Sequence, residues 1–274
     1  MRILITNDDG IAAPGIRHLA RAVHALGHDV VVAAPGAEAS GSSAALTAVT
    51  EDGRLMLDTV AVDGLPGVPG FGVKASPGYI AVLAGLGAFG DRPDAVLSGI
   101  NRGANAGHAI LHSGTVGAAL TAANHGMRAL AVSLDVLSPA EASSASGGAA
   151  FTALIEAADN ARHWAGAADL AARLLSWLAA APPGTVLNLN VPDRPADVLR
   201  GLRRATLAPF GQVQMAIAEH GKGYVRTSIE ERGERLVPGS DIALLAEGYA
   251  TVTAVTPPTA NPGLEPPPGA WPEL

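Results

Sequence analysis

Apolar and polar positions along the first half of the chain switch repeatedly between two periods. Arg2 to Thr6 is a short, largely β-branched apolar run, as expected of a strand buried on both faces. From Pro14 the period lengthens. Ile16, Leu19, Ala20, Val23 and Leu26 fall on one helical face, Pro14 suits a first helical turn, and Gly27 supplies the stop. His28 to Ala34 is again a continuous apolar run, closed by Pro35. Strand, helix and strand at this spacing form a βαβ unit with a right-handed crossover. Further along, the pattern predicts extended, partly paired chain over 46–62 and a helix from Tyr79 to Phe89. A buried strand from Asp94 to Ser98 follows, then a helix from Ser113 to His125 capped by Ser113 and stopped by Gly126, and a strand from Ala129 to Leu134.

The second half is less regular. Ser138 to Gly148 reads as a loop rich in Ser, Ala and Gly. Ala168 to Leu178 reads as an amphipathic helix with Leu170, Leu174, Trp177 and Leu178 on its apolar side, and Val186 to Val191 alternates as a strand does. Residues 205–240 are more polar, with weak strand alternation and several Gly. They predict an extended arm or hairpins outside the main sheet, used in oligomerisation. Asp241 to Thr256 returns to core-like alternation, and the Pro-rich tail beyond Pro257 is expected to be loose. The expected organisation is an α/β core over 1–204, the arm over 205–240, a return to the core over 241–256, and a tail over 257–274.

Composition narrows the classes. The 274 residues are 48% hydrophobic and 16% charged, enough to bury a large core. A formal net charge of −7 argues against a nucleic-acid duplex as partner, but leaves open a phosphorylated small molecule held by a metal or a helix N-terminus. With no cysteine, disulfides, zinc-thiolate sites and cysteine nucleophiles are excluded. No signal-peptide pattern and no membrane-spanning apolar run is present, so a cytoplasmic location without membrane contact is the expectation.

The chemistry collects after strands. Asn7-Asp8-Asp9-Gly10 closes the first strand, where open α/β sheets place their ligands. Two adjacent carboxylates repel unless a cation or hydrogen-bond donors neutralise them, and oxygen-rich clusters favour hard divalent cations. A plain surface turn is the competing reading. Ala39 to Ser43 and Ser98 to Asn105 follow two further strands predicted to be parallel to the first, which places all three loops on one sheet edge. Asn101, set between glycines, is either an amide-oxygen ligand or the cap of a turn. Ser113-Gly114-Thr115 opens a small-residue helix, giving either an anion site at its N-terminus or an ordinary cap. A phosphate-binding P-loop, a dinucleotide fingerprint after the first strand and a G-x-S-x-G elbow are all absent. His108 and His112 are spaced i, i+4 in a Gly-bounded loop and read as solvent-facing, or as supports behind a site's ligands, rather than as zinc ligands.

Taken in order, N-D-D-G, A-P, S-G-S-S, S-G-I-N-R-G-A-N and S-G-T-V-G-A-A resemble the SurE family, the stationary-phase survival nucleotidases. Supporting similarity lies in Ala131 to Leu134, Asn188 to Pro192, Ser240-Asp241 and Glu247 to Tyr249, so that the resemblance spans residues 1–256. It implies an α/β fold: a Rossmann-like, three-layer core with a mainly parallel sheet and a C-terminal β-hairpin arm exchanged or paired between subunits. It implies metal-dependent hydrolysis of nucleoside 5′- and 3′-monophosphates, one Mg²⁺ or Mn²⁺, and a homodimer or homotetramer. Asp8, Asp9, Ser40 and Asn101 are the implied metal ligands, with Asp8 or Asp9 also acting on the attacking water. Asn105, Ser113, Gly114 and Thr115 are the implied phosphate contacts. The chain departs from the family pattern at 35–39, at Ala44-Ala45, at Ser76 to Tyr79, and at Ala109 and His112. These departures bear on substrate preference and subunit contacts. A non-catalytic nucleotide-binding protein on the same fold is the alternative, and a nucleotide-sugar transferase ranks below it.

Overall fold

A computed structural model describes residues 1–136, 159–209, 213–231 and 236–259. The predicted βαβ unit is present as β1 (Arg2–Thr6), α1 (Pro14–Ala25) and β2 (Asp29–Pro35), with β1 and β2 parallel. The extended stretch that follows is broken into β3 (Thr50–Glu51), β4 (Arg54–Leu55) and β5 (Leu57–Thr59), then β6 (Gly70–Val73) and α2 (Pro77–Gly85). Next come β7 (Ala95–Arg102), a 3-10 turn over Gly107–His112, α3 (Gly114–Asn124) and β8 (Arg128–Asp135). The second half supplies α4 (Trp164–Ala180), β9 (Val186–Pro192), β10 (Leu202–Arg204), β11 (Val213–Gly221), β12 (Tyr224–Glu231), α5 (Asp241–Ala246) and β13 (Ala250–Val255).

Nine strands form one sheet in the order β10-β13-β9-β8-β7-β1-β2-β6-β5. The central strands β9 to β6 are mutually parallel, whereas β5 pairs antiparallel to β6 and β13 antiparallel to β9. Strand β1 lies between β2 and β7, so the chain winds outward from it in both directions. The crevice beyond its C-terminal end is therefore a topological switch point, where such sheets bind ligands.

Alternation along the buried strands feeds two cores, one on each face of the sheet. Ile3, Ile5, Leu97 and Val132 pack with Ile16 and Leu19 of α1 and Leu175 and Leu178 of α4. Leu4, Val31 and Val96 pack with Ile80 of α2 and Val116 of α3. The expected three-layer α/β architecture is the one observed. Among the described residues, no helix is long and apolar enough to cross a membrane.

Several local expectations need correction. Helix α2 starts at Pro77 and ends at Gly85, earlier at both ends than the Tyr79–Phe89 pattern suggested, because Pro77 takes the first helical turn. Strand β7 runs on through Asn101 and Arg102 rather than stopping at Ser98, with a register shift against β8 between Ser98 and Asn101. Helix α4 buries an alanine face of Ala167, Ala168 and Ala171 together with Trp164, Leu175 and Leu178. Leu170 and Leu174 are only partly buried and Trp177 is 53% exposed, so the true inner face is rotated from the predicted one. The Asp241–Thr256 alternation is a short helix followed by a strand. Leu26 is exposed, at the C-cap of α1. As anticipated for 205–240, β11 and β12 pair only with each other among the described strands, as an antiparallel hairpin outside the main sheet. The Ser138–Gly148 loop and the tail from 260 onward lie outside the described residues.

Candidate active site

Asp8 and Asp9 follow directly on β1, and the turn that carries them is locked by Asn7. The Asn7 side chain accepts from Gly10 N at 3.2 Å and donates to Gly10 O at 3.0 Å. Gly10 has φ +99°, a conformation that L side chains rarely adopt, which is why glycine ends the motif. Ala39 N donates to Asp8 O at 2.7 Å, drawing the loop after β2 against the first. A cleft of about 340 Å³ opens here, lined by Asp8, Asp9, Glu38, Ser40, Asn101, Arg102, Asn105, His112, Ser113 and Gly114 among others.

The carboxylate pair is buried and short of positive charge. Burial pushes the Asp8 carboxyl above its ordinary range, opposed by a hydrogen bond from the Thr115 hydroxyl to Asp8 Oδ1 at 2.5 Å. Burial and the neighbouring Asp8 charge push Asp9 up to about 7, with Arg102 pulling the other way. Arg102 Nη1 stands 3.7 Å from Asp9 Oδ1 and its Nε 3.1 Å from Asp159 Oδ2. Beyond Asp159 the ion pairs continue through Arg162 to Asp193, whose carboxylate also accepts from His163 N at 2.8 Å.

The other predicted residues fall into two groups. Ser40 and Asn101 line the cleft beside the carboxylates. Ser40 Oγ donates to Glu38 Oε1. Asn101 Nδ2 is committed to Gly103 O at 2.8 Å, which leaves the amide oxygen for the cleft. Ser113 and Gly114 line the cleft at the start of α3, where Ser113 Oγ caps the helix by accepting from Val116 N at 3.0 Å. A Cβ on Gly114 would sit 2.7 Å from Asp8 Oδ2 and 2.6 Å from Ser42 Oγ, so only glycine lets the helix start approach the carboxylate this closely. Thr115 is fully buried behind Asp8 and does not line the cleft; its hydroxyl faces the carboxylate.

Asn105 is held from below by strands β8 and β9. Its N–H donates to Asn190 Oδ1 at 2.8 Å, and its carbonyl accepts from Asn188 Nδ2 at 2.7 Å and Asn190 Nδ2 at 2.9 Å. Its side-chain amide pairs with Ser133 Oγ at 2.8 Å. His112 lines the cleft, whereas His108 is exposed and does not.

Sequence reasoning assigned no role to Arg102 or Asp159, or to Asn188 and Asn190 as supports. The i, i+2 pair Asn188 and Asn190, inside an otherwise apolar strand, was the available signal. Two amides on one face of a buried strand require partners.

Two buried carboxylates with hydroxyl and amide oxygens around them suit a hard divalent cation. The helix start packed beside them suits an anion.

Comparisons with known proteins agree with this arrangement. A family model described as "Survival protein SurE" matches residues 3–214. The 5′-nucleotidase SurE of Solidesulfovibrio magneticus is 38% identical over 265 residues, covering 92% of this chain and 90% of that protein. The 5′/3′-nucleotidase SurE of Edwardsiella ictaluri is 35% identical over 258 residues, covering 92% and 89%. The crystal structure of SurE from Aquifex aeolicus superposes with a TM-score of 0.70 at 26% identity, covering 95% of each chain. The motifs that surround the cleft and the fold that brings them together have the same source: the chain belongs to the SurE family.

Proposed function

We propose that this chain is a divalent-cation-dependent phosphomonoesterase, cleaving nucleoside 5′- and 3′-monophosphates to nucleoside and inorganic phosphate. The observation that carries the reading is the meeting of two features in one cleft: a buried, under-neutralised carboxylate pair and, packed against Asp8, the open start of α3. Relatives named 5′-nucleotidase or 5′/3′-nucleotidase set the substrate class. Asp8, Asp9, Ser40 and Asn101 would hold one Mg²⁺ or Mn²⁺. When bound, that cation supplies Lewis acidity toward a phosphate oxygen and lowers the pKa of the attacking water. The remaining steps belong to the chain. Asp8 or Asp9 orients the water and accepts its proton. Asn105, Ser113 and Gly114 hold the phosphate, with the amides and dipole of α3 aimed at its oxygens. Thr115 fixes the rotamer of Asp8 rather than contacting phosphate. The β11–β12 hairpin is the element we assign to subunit pairing, as a homodimer or homotetramer, and the cytoplasm is the proposed compartment.

Phosphate release from a panel of 5′- and 3′-nucleotides, with Mn²⁺, Mg²⁺ or EDTA, tests the reading. Release that needs the cation and vanishes in EDTA is expected. Tight nucleotide binding without release under any cation would overturn it in favour of a binding protein on the same fold.

A further inference from the structure

Ser240-Asp241 belongs to the sequence similarity but has no part in the chemistry above. Asp241 is fully buried, and among the described residues no cation pairs with it. Its carboxylate is held by three backbone amides instead. Gly107 N donates to Oδ2 at 2.8 Å, while Ala208 N and Ile242 N donate to Oδ1, each at 2.9 Å. A buried carboxylate is costly unless its oxygens are satisfied, so these three donors and the carboxylate fix one another in place.

The donors come from three separate parts of the chain. Gly107 begins the 3-10 turn that joins Asn105 to His112 and Ser113, all cleft-lining residues. Ala208 lies where the chain leaves the sheet toward the hairpin, and Ile242 lies just after the chain returns from it. Two further contacts tie the same pieces together. His108 N donates to Ala208 O at 3.0 Å, and Ala106, Ala208, Ile242 and Leu245 form a small apolar cluster separate from both main cores. Asp8 and Asp9 make no contact with Asp241 or its three donors; they sit on the turn after β1 that Asn7 holds, and meet α3 where Thr115 donates to Asp8.

We infer that Asp241 is a positioning residue for the phosphate wall: it fastens the root of the hairpin arm to the Gly107 turn and so sets where Asn105 and Ser113 meet the substrate. The inference rests on the proposed phosphomonoesterase reading. It predicts that the phosphate wall can be shifted, with the metal side left in place, by a change at a residue that does not line the cleft.

The test is Asp241→Asn, in which the amide nitrogen is set against a backbone N–H that now lacks an acceptor. A displacement of about 1 Å at the phosphate wall is expected to lower kcat/KM roughly ten- to a hundredfold. The inhibition constant for inorganic phosphate should rise severalfold, while the Mn²⁺ dissociation constant measured calorimetrically without substrate stays within twofold. Leu178→Ala, in the opposite core, serves as a control that lowers thermal stability without changing phosphate inhibition. Should Asp241→Asn fail to fold, Ile242→Val trims the same junction by one methylene and should shift phosphate inhibition in the same direction, to a smaller extent. Unchanged phosphate inhibition in a folded Asp241→Asn protein, or equal weakening of Mn²⁺ and phosphate, would overturn the inference. A wild-type protein without turnover would overturn the functional reading instead, and the inference with it.

Discussion

The Asp8 and Asp9 side chains, on one wall of the cleft, are buried side by side, and among the described residues Arg102 is the only Lys or Arg lining the cleft with them. Around the Gly107 turn, the backbone of Asn105, Gly107 and His108 is met by Asn188, Asn190, Asp241 and Ala208 at 2.7 to 3.0 Å. The carboxylate wall lacks counter-charge, whereas the backbone of the Gly107 turn already has partners within the chain. In the proposed reading, a cation would relieve the repulsion between the carboxylates, and a phosphate would meet donors at the α3 start that need little rearrangement, as preorganised electrostatic stabilisation requires.

The contrast breaks most completely at the carboxylates. Asp8→Asn and Asp9→Asn should each lower turnover on the order of 10³-fold, since they remove a ligand from a cation that supplies several kcal/mol of charge stabilisation. Phosphate release under saturating Mn²⁺ reads this. Next in size is Gly114→Ala. Its Cβ would sit 2.7 Å from Asp8 Oδ2, so the helix start must withdraw and both walls shift together. A loss of roughly a hundredfold in kcat/KM is expected, accompanied by weaker Mn²⁺ binding, which separates it from Asp241→Asn. Thr115→Val sharpens the comparison further. It deletes the donor to Asp8 Oδ1 and should weaken Mn²⁺ binding by roughly tenfold, the usual cost of losing a side chain that orients a metal ligand, with phosphate inhibition nearly unchanged.

A further expected effect is on pH dependence. Asp9 titrates near 7 in the folded, metal-free protein against an ordinary 3.8, and Asp8 is shifted in the same direction. The folded state therefore holds more protons than the unfolded chain between about pH 4 and 7. Metal-free stability from these groups is intact below that window and is lost as pH rises through it. Mn²⁺, which competes with those protons, should bind more tightly as pH rises over the same range. Thermal melting and calorimetry at pH 5, 6 and 7 check both signs.

The strongest sequence signals were those with uninterrupted periodicity. β1, α1, β2, β8 and α3 follow directly from apolar spacing and from Pro14, Ser113 and Gly126. β6 escaped because Gly-Phe-Gly-Val lacks the β-branched density of its neighbours; the strand is specified by pairing with β2 and β5 on either side. The inner face of α4 was misread because leucines outweigh alanines in any hydropathy pattern, yet the small residues are the ones buried. At the site, Asp8, Asp9, Ser40, Asn101, Asn105, Ser113 and Gly114 all line one cleft, and topology explains why motifs spread over a hundred residues could be read together. The sequence shows a hydroxyl at a helix start in Thr115 but not that it donates to Asp8. Arg102 with Asp159, and Gly107 with Asp241, depend on chain segments meeting at large separation, and no spacing rule encodes that.

The central claim is that the Asp8–Asp9 wall stores unmet negative charge which a divalent cation resolves. Thermal melting of wild type and Asp8→Asn at pH 8, each with EDTA and with Mn²⁺, tests it most directly. The account predicts that Mn²⁺ raises the wild-type Tm but leaves the variant's nearly unchanged, and that in EDTA the variant is at least as stable as wild type. A wild-type Tm indifferent to Mn²⁺, or a variant that is much less stable than wild type in EDTA, would contradict it.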